Sequence, residues 1–266
     1  MTPLKNNLLK TGEFLLKTGV VTWILLLAVW SLLSPLYPAN FLPGPIATLI
    51  GGKEILLDGT LLEFAGISLR RVFFGWFLGS LIGAPLGILI GRVKPLRQIA
   101  EPFVDFFRFI PAIAFLTLFI MWFGVGERSK IILILYGTSF FVIVNTVSGV
   151  LGIDPLRIQA ARTLGASESQ ILLHIVIPES VPYVFTGVRL GLGGAFTSIV
   201  AAEMLAAKEG LGYLVFSSRL YFRIDWILVG VVTLGLLGYF SDRALKFFGK
   251  HALRRYSIND SKEFGR

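Results

Sequence analysis

The feature that most constrains this chain is a succession of apolar runs long enough to cross a lipid bilayer. A helix needs about 20 predominantly apolar residues to span the hydrocarbon core. Six stretches meet or approach that length: Gly19 to Leu33, Val72 to Ile90, Phe103 to Phe123, Ile131 to Ile153, Val181 to Ala202 and Trp226 to Leu245. The second and fourth carry no charge; the first is short, and a start nearer Phe14 is open. The chain is 55% hydrophobic and 15% charged, which sets it among integral membrane proteins. The expected fold is all-α, a polytopic membrane protein with six transmembrane helices.

Charge decides how such a chain would sit. A net charge of +9 would suggest nucleic acid in a soluble protein, but in a membrane protein Lys and Arg collect on cytoplasmic segments. With the amino terminus inside, 15 of the 25 basic residues are cytoplasmic, eight lie outside, and two, Arg108 and Arg189, fall within spans. The cytoplasmic set is Lys5, Lys10 and Lys17, then Arg92, Lys94 and Arg97, then Arg157 and Arg162, then seven from Arg243 onward. The expected partition is a cytoplasmic segment 1–18, a transmembrane domain 19–250 and a cytoplasmic tail 251–266. Residues 1–18 lack the small-residue cleavage site of a signal peptide, so the first span is expected to be retained. The lipid bilayer is the expected partner and nucleic acid is not. No repeat relates the two halves, which argues against a secondary transporter built from an inverted repeat. Six spans seldom enclose a pathway alone, so two copies or a related second subunit are expected around it.

Several chemistries are excluded by inventory. The chain has no Cys and only two His, His174 and His251, so thiolate chemistry and a multi-histidine metal centre are ruled out. The run Gly51-Gly52-Lys53-Glu54 has neither the upstream glycine nor the Ser/Thr after Lys that a phosphate loop requires. No catalytic residue set is found, and a membrane-embedded enzyme would need a cluster of His, Asp or Glu that the spans do not offer. ATP hydrolysis is not expected of this chain.

The segment between the fourth and fifth spans, 154–178, has an architecture of its own. Asp154 before Pro155 is an N-cap followed by proline at the first helical position, and Gly165 can take the left-handed conformation that ends a helix. Ser167 with Gln170 is a capping box for a second short helix, which Pro178 is expected to stop. The pattern predicts two short helices at an angle, joined by a glycine hinge. Ordinary connections are only about 4–6 residues long, so a functional role is favoured. Ala160 and Ala161 present a small-residue surface that a partner could approach closely, while Leu172, Ile175 and Val176 can pack under the membrane domain. An interfacial helix lying on the bilayer would carry a fuller Lys/Arg face than Arg157 and Arg162 supply.

The pattern Gln159-Ala160-Ala161, Gly165-Ala166 and Ile177-Pro178 resembles the E-A-A…G…L-P motif of binding-protein-dependent ABC importer permeases. The similarity continues in order from about Ser68 to the sixth span. It takes in Arg71 with the glycines that follow it, F-R-F-I-P-A-I-A-F from Phe107, W-F-G-V-G-E from Trp122, V-A-A-E-M-L from Val200 and G-L-G-Y-L from Gly210. Permeases for nitrate, sulfonate, taurine and bicarbonate are the most similar type. The resemblance implies a multi-pass protein of a bacterial plasma (inner) membrane, working as a homodimer with two ABC ATPase subunits and an extracytoplasmic substrate-binding protein. ATP and Mg would sit on the ATPase, with no cofactor or metal on this chain. Gln159, Ala160, Ala161, Arg162, Thr163, Leu164, Gly165 and Ala166 would be the ATPase-docking residues of a coupling helix. Where the family usually has Glu, this chain has Gln159, which keeps hydrogen-bonding capacity and loses the charge. The implied cargo is a small anion, though the family also handles neutral cyclic vitamin precursors. An ATP-independent channel or secondary transporter is the rival.

Candidate pathway residues are Arg108, Phe109, Pro111, Arg189 and Glu203, because ionisable groups inside spans usually face a pathway or a partner. Arg108 lies five residues and Arg189 eight residues past the start of its span, roughly 8 and 12 Å at helical rise, and so the two could meet at a similar depth. They could instead snorkel, or pair with Asp105, Glu101 or Glu179. Glu203 is open between gating and a structural pair with Arg219 or Arg223. Pro111 is expected to kink the third span, either at the pathway or as a packing feature. Gly75, Gly79, Gly83, Gly87 and Gly91, each four residues apart, form a ridge without side chains and are read as helix-packing positions. The segment Gly210 to Leu220 is read as a short outside helix over the mouth, where a binding protein would land.

Overall fold

The computed structural model describes residues 20–38 and 40–253. Expectations for residues 1–18 and for the tail beyond residue 253 lie outside the described residues.

Among the described residues every regular element is helical. The α-helices are α1 Val20–Leu33, α2 Pro45–Leu57, α3 Thr60–Arg92, α4 Lys94–Phe107, α5 Leu116–Phe123, α6 Glu127–Leu151, α7 Pro155–Thr163, α8 Glu168–Ile171, α9 Ile177–Ala206, α10 Leu211–Leu220 and α11 Ile224–Ala252. Four helical runs are long and apolar enough to cross a membrane: α3, α6, Glu168–Ala206 and Ile224–His251. The pair Lys94–Phe107 and Ala112–Phe123 makes a fifth when taken as one broken span, while Val20–Leu36 is apolar but shorter.

The chain divides into two compact units, one of residues up to Leu62 with Leu214–Val231, the other Glu63–Tyr213 with Val232 onward. In the first unit Trp30 Nε1 donates to the Pro43 carbonyl at 3.0 Å. Arg223 there bridges Glu54 (2.6 Å) and Asp225 (2.8 Å), with its guanidinium 3.9 Å from the centre of the Trp226 ring.

In the second unit the glycine ridge of α3 lies directly on α6. A Cβ built on Gly75 would stand 2.5 Å from Ile134 Cβ. On Gly79, Gly83, Gly87 and Gly91 it would meet Thr138, Val142, Thr146 and Val150 Cβ at 2.8, 2.9, 2.6 and 2.7 Å. Real Cβ atoms do not approach so closely, so only glycine permits this contact. Both partners advance four residues at each step in the same direction, so α3 and α6 run parallel. The chain between two parallel neighbours must return to its starting end, and the broken α4–α5 pair makes that return.

α9 runs antiparallel to α6, with Gly187 against Val142 and Asn145 and Gly191 against Thr138. α11 runs antiparallel to α9: Gly249 meets Phe185, and Arg189 binds Asp242 at 3.0 Å. Val72, Ile134, Leu192, Ala195 and Ile199 bury together between α3, α6 and α9.

Two expectations from proline need correction. The third span is not one kinked helix from Phe103: α4 begins at Lys94 and its axis meets the following helix at 91°. Pro111 is extended (φ −56°, ψ 134°), and a proline disfavours helix in the residue before it, so the chain leaves helical geometry altogether. The carbonyl of Phe107, which Pro111 leaves without its donor four residues on, accepts from the Ile110 amide at 3.1 Å and from Tyr136 Oη at 2.9 Å. Nor does Pro178 stop the second loop helix. A π-helical segment, Leu172–Val176, precedes it and places Pro178 in the first turn of α9, where its missing N–H costs no bond.

Candidate functional site

The break between α4 and α5 opens on a cavity of about 510 Å³. Phe107, Arg108, Phe109 and Pro111 enter it from the break, Phe140, Phe141 and Asn145 from α6, and Thr197 and Ser198 from α9. The polar groups of the helices are largely committed within them. Asn145 Nδ2 donates to the Phe141 carbonyl, Thr197 Oγ1 to Gly193 and Ser198 Oγ to Gly194, at 2.8, 3.2 and 2.9 Å. Among the described residues Arg108 is the only charged one in the lining. Its guanidinium sits 3.1 Å from Asp105 and 4.9 Å from the centre of the Phe109 ring. Both members of that pair are substantially exposed, so it is weak and leaves the guanidinium able to bind elsewhere. The wall is therefore aromatic and apolar, with one cation at hand.

Arg189 is not among the lining residues. It pairs with Asp242, which also binds Lys246 at 3.0 Å, so the two arginines expected at a similar depth do not share this cavity. Neither Asp105, Glu101 nor Glu179 is the partner of Arg189, because α11 packs against that part of α9 and brings its own carboxylate.

Glu203 is fully buried, and its partner is Arg71 at 2.8 Å rather than Arg219 or Arg223. Arg219 lies over Phe216. Arg71, itself 1% exposed, also binds Glu127 through Nε (2.7 Å) and Nη2 (2.5 Å) and donates to the Glu209 carbonyl at 2.9 Å. Ser68 Oγ donates to the Glu203 carboxylate, which further accepts from the Gly212 amide at 2.9 Å. Sequence reasoning named Glu203 as a candidate pathway residue but did not bring it together with Arg71, Ser68 and Glu127. One signal was present: Arg71 lies four residues before Gly75, on the ridge face that buries against α6.

At the opposite end of the bundle lies the segment after α6. Asp154 Oδ1 accepts from the Leu156 amide at 2.9 Å, α7 ends at Gly165 with φ +85°, and Ser167 and Gln170 form the reciprocal capping box. Ile171 and Val176 bury with Val150 and Ile153, anchoring the segment to the end of α6. Glu168 joins Arg162 of α7 to Arg92 at the end of α3, and Arg157 binds Glu179 at 2.7 Å. The outward side is left free: Gln159 and Ala160 are exposed and Leu164 is 88% exposed. A groove of about 410 Å³ beside it is lined by Ala161, Leu164, Gly165, Gln170 and His174 among others. Among the described residues no group of His, Cys, Asp or Glu is placed to hold a metal.

Known proteins resemble this chain in sequence and in fold. Residues 83–254 match the family model described as "Binding-protein-dependent transport system inner membrane component". The chain is 40% identical over 228 residues to a protein of Brucella melitensis named a probable ABC transporter permease, covering 86% of this chain and 89% of that one. It is 35% identical over 239 residues to the taurine transport system permease protein TauC of Escherichia coli, covering 86% of each. Among solved structures, an inward-facing form of the MetNI methionine ABC transporter aligns with a TM-score of 0.64 at 22% identity. That alignment covers 76% of this chain and 98% of the other.

Proposed function

We propose a substrate and a working assembly for this chain, which belongs to the family of binding-protein-dependent transport system inner membrane components. It is the permease subunit of an ABC importer. The proposed cargo is a small organic anion of the sulfonate type. The observation that carries this is the cavity at the α4–α5 break, where among the described residues Arg108 is the single charge in an aromatic and apolar wall. A sulfonate or carboxylate head would bind the guanidinium, and the carbon body would lie against Phe109, Phe140 and Phe141. The relative named for taurine supports the same class.

In this reading two copies of the chain form the pathway, each with six spans, the first being α1, and with both termini cytoplasmic. The 154–178 segment is the coupling loop. Gln159 to Ala166 dock onto a separate ATPase that carries ATP and Mg, by shape and hydrogen bonds with no charge from Gln159. Closure of the ATPases moves the loops, and rigid rotation of the attached helices turns the pathway from inward- to outward-facing. The stretch from residue 207 through the short helix read at 210–220 lies on the outer side, where the binding protein delivers the anion.

The test is uptake of labelled taurine and of a longer alkanesulfonate into proteoliposomes holding the permease, its ATPase and its binding protein. Uptake should require ATP; equal uptake by the permease alone under an ion gradient would overturn the importer assembly. Arg108→Gln should lower anion uptake by roughly 5–150-fold, the span of a 1–3 kcal/mol contact, and leave the amount of folded protein unchanged. Uptake unaffected by this change would remove Arg108 from the pathway. Topology is checked independently, because the chain has no Cys. Leu164→Cys should react with a membrane-impermeant thiol reagent only from the cytoplasmic side.

A further inference from the structure

The Arg71–Glu203 cluster does not line the cavity and takes no part in ATPase docking, yet it contains the two most deeply buried opposite charges among the described residues. A buried ion pair is an inefficient way to gain stability, since desolvation offsets most of the attraction. What it does supply is direction: each hydrogen bond fixes an angle as well as a distance. Here the bonds fix four elements at once. Ser68 and Arg71 come from α3, Glu127 from α6, Glu203 from α9, and the amides of Leu211 and Gly212 from the start of α10.

The chain leaving α9 is folded tightly around the Glu203 carboxylate. Gly210 holds φ +110°, and any side chain there would run into that carboxylate. A Cβ on Gly212 would come 2.6 Å from the Val200 carbonyl. Ser68 is shared: its hydroxyl donates to Glu203 and accepts from the Leu211 amide at 2.8 Å. Less than two turns back along α9 from Glu203 stand Thr197, Ser198 and Ala201, all in the cavity wall.

We propose that Glu203 and Arg71 are positioning residues that make segment 207–213 and the cavity-lining stretch of α9 one rigid piece, so that the binding protein's load on that segment reaches the cavity. The inference rests on the importer reading above. In it the cluster stays closed throughout the transport cycle and carries displacement rather than opening as a gate.

The test uses the complete transporter in proteoliposomes, with ATPase activity measured with and without the binding protein. Glu203→Gln keeps the side chain's shape and removes its charge. The ratio of stimulated to basal activity should fall about fivefold or more, the lower range of an ordinary coupling energy. Arg71→Lys, which keeps a charge but loses the planar fork, should lower the ratio too. A purely structural pair would lower stimulated and basal activity in proportion, and a constant ratio overturns the proposal. A second arm does not depend on those variants folding. Ser68 Oγ and Leu211 N are 2.8 Å apart, which by bond lengths keeps the two Cα atoms within about 7 Å, near the reach of a disulfide. The double variant Ser68→Cys with Leu211→Cys, oxidised, should transport at the rate of its reduced form. Uptake that stops on oxidation and returns with a reducing agent would show that the cluster opens, and would overturn the proposal. No stimulation of the wild-type transporter would overturn the importer reading itself, a result distinct from either.

Discussion

Gly87→Leu will leave almost no folded protein in the membrane. The Cβ alone would stand 2.6 Å from Thr146 Cβ and 3.0 Å from the carbonyl oxygen of Ile143. The second obstacle is backbone, held in the hydrogen-bond ladder of α6, and has no rotamer through which to yield. Overpacking a tight core costs about 1–3 kcal/mol per site and more where the backbone must move. A leucine here forces α3 and α6 apart along their shared length, so the loss extends to Gly83 and Gly91 on either side. Gly66→Ala is the matched control on the same helix, because nothing lies within 4 Å of its added Cβ. Detergent-extracted protein followed by size-exclusion profile and thermal unfolding should separate the two variants. A Gly87→Leu protein with an unchanged melting point would show that the ridge does not carry the packing.

Gly165→Val should disconnect ATP hydrolysis from uptake while leaving the protein folded. No atom lies within 4 Å of a Cβ at this position, so crowding is not the issue. The issue is φ at +85°, a conformation that costs an L-residue roughly 1–2 kcal/mol and a β-branched one more. Valine will push the hinge toward helical or extended geometry and reorient α7 against α8. The burial of Ile171 and Val176 lies beyond the hinge and stays intact. Uptake per ATP hydrolysed should therefore fall by roughly tenfold, equivalent to about 1.4 kcal/mol of lost coupling. Gly165→Asn, which tolerates the left-handed region, should retain most of it. Unimpaired uptake by Gly165→Val in reconstituted vesicles would refute a coupling role for the loop.

These two positions also mark what the amino-acid sequence discloses and what it withholds. The caps at Asp154 and Ser167 and the turn at Gly165 were legible because their partners lie within a few residues. The glycine ridge was legible because its period matches the helix. Pro111 and Pro178 were legible as interruptions, but not in their form. Whether a proline bends a helix, ends it or passes through depends on what its neighbours satisfy. At Pro111 the Ile110 amide and a tyrosine 29 residues beyond Phe107 share the carbonyl left without its donor. At Pro178 a widened turn absorbs the missing donor. For Glu203 the choice stood between gating and a pair with Arg219 or Arg223, because only charges near in sequence could be named, yet its partner lies 132 residues away. Arg189 met Asp242 across 53 residues for the same reason. Periodicity says that such a charge is buried; only the packing of helices says beside what.

The ridge on α3 has a further consequence. Five equal notches against a partner with the same spacing form a scale without a zero: slide one helix by a single notch and four of the five pairs still nest. Steric fit alone therefore leaves the alignment of α3 on α6 nearly degenerate, with false settings one helical turn away. The salt bridge from Arg71 to Glu127 sits just beyond the first notch and occurs once. It supplies the missing origin, so that the setting of the two helices is chosen by charge and then held by contact.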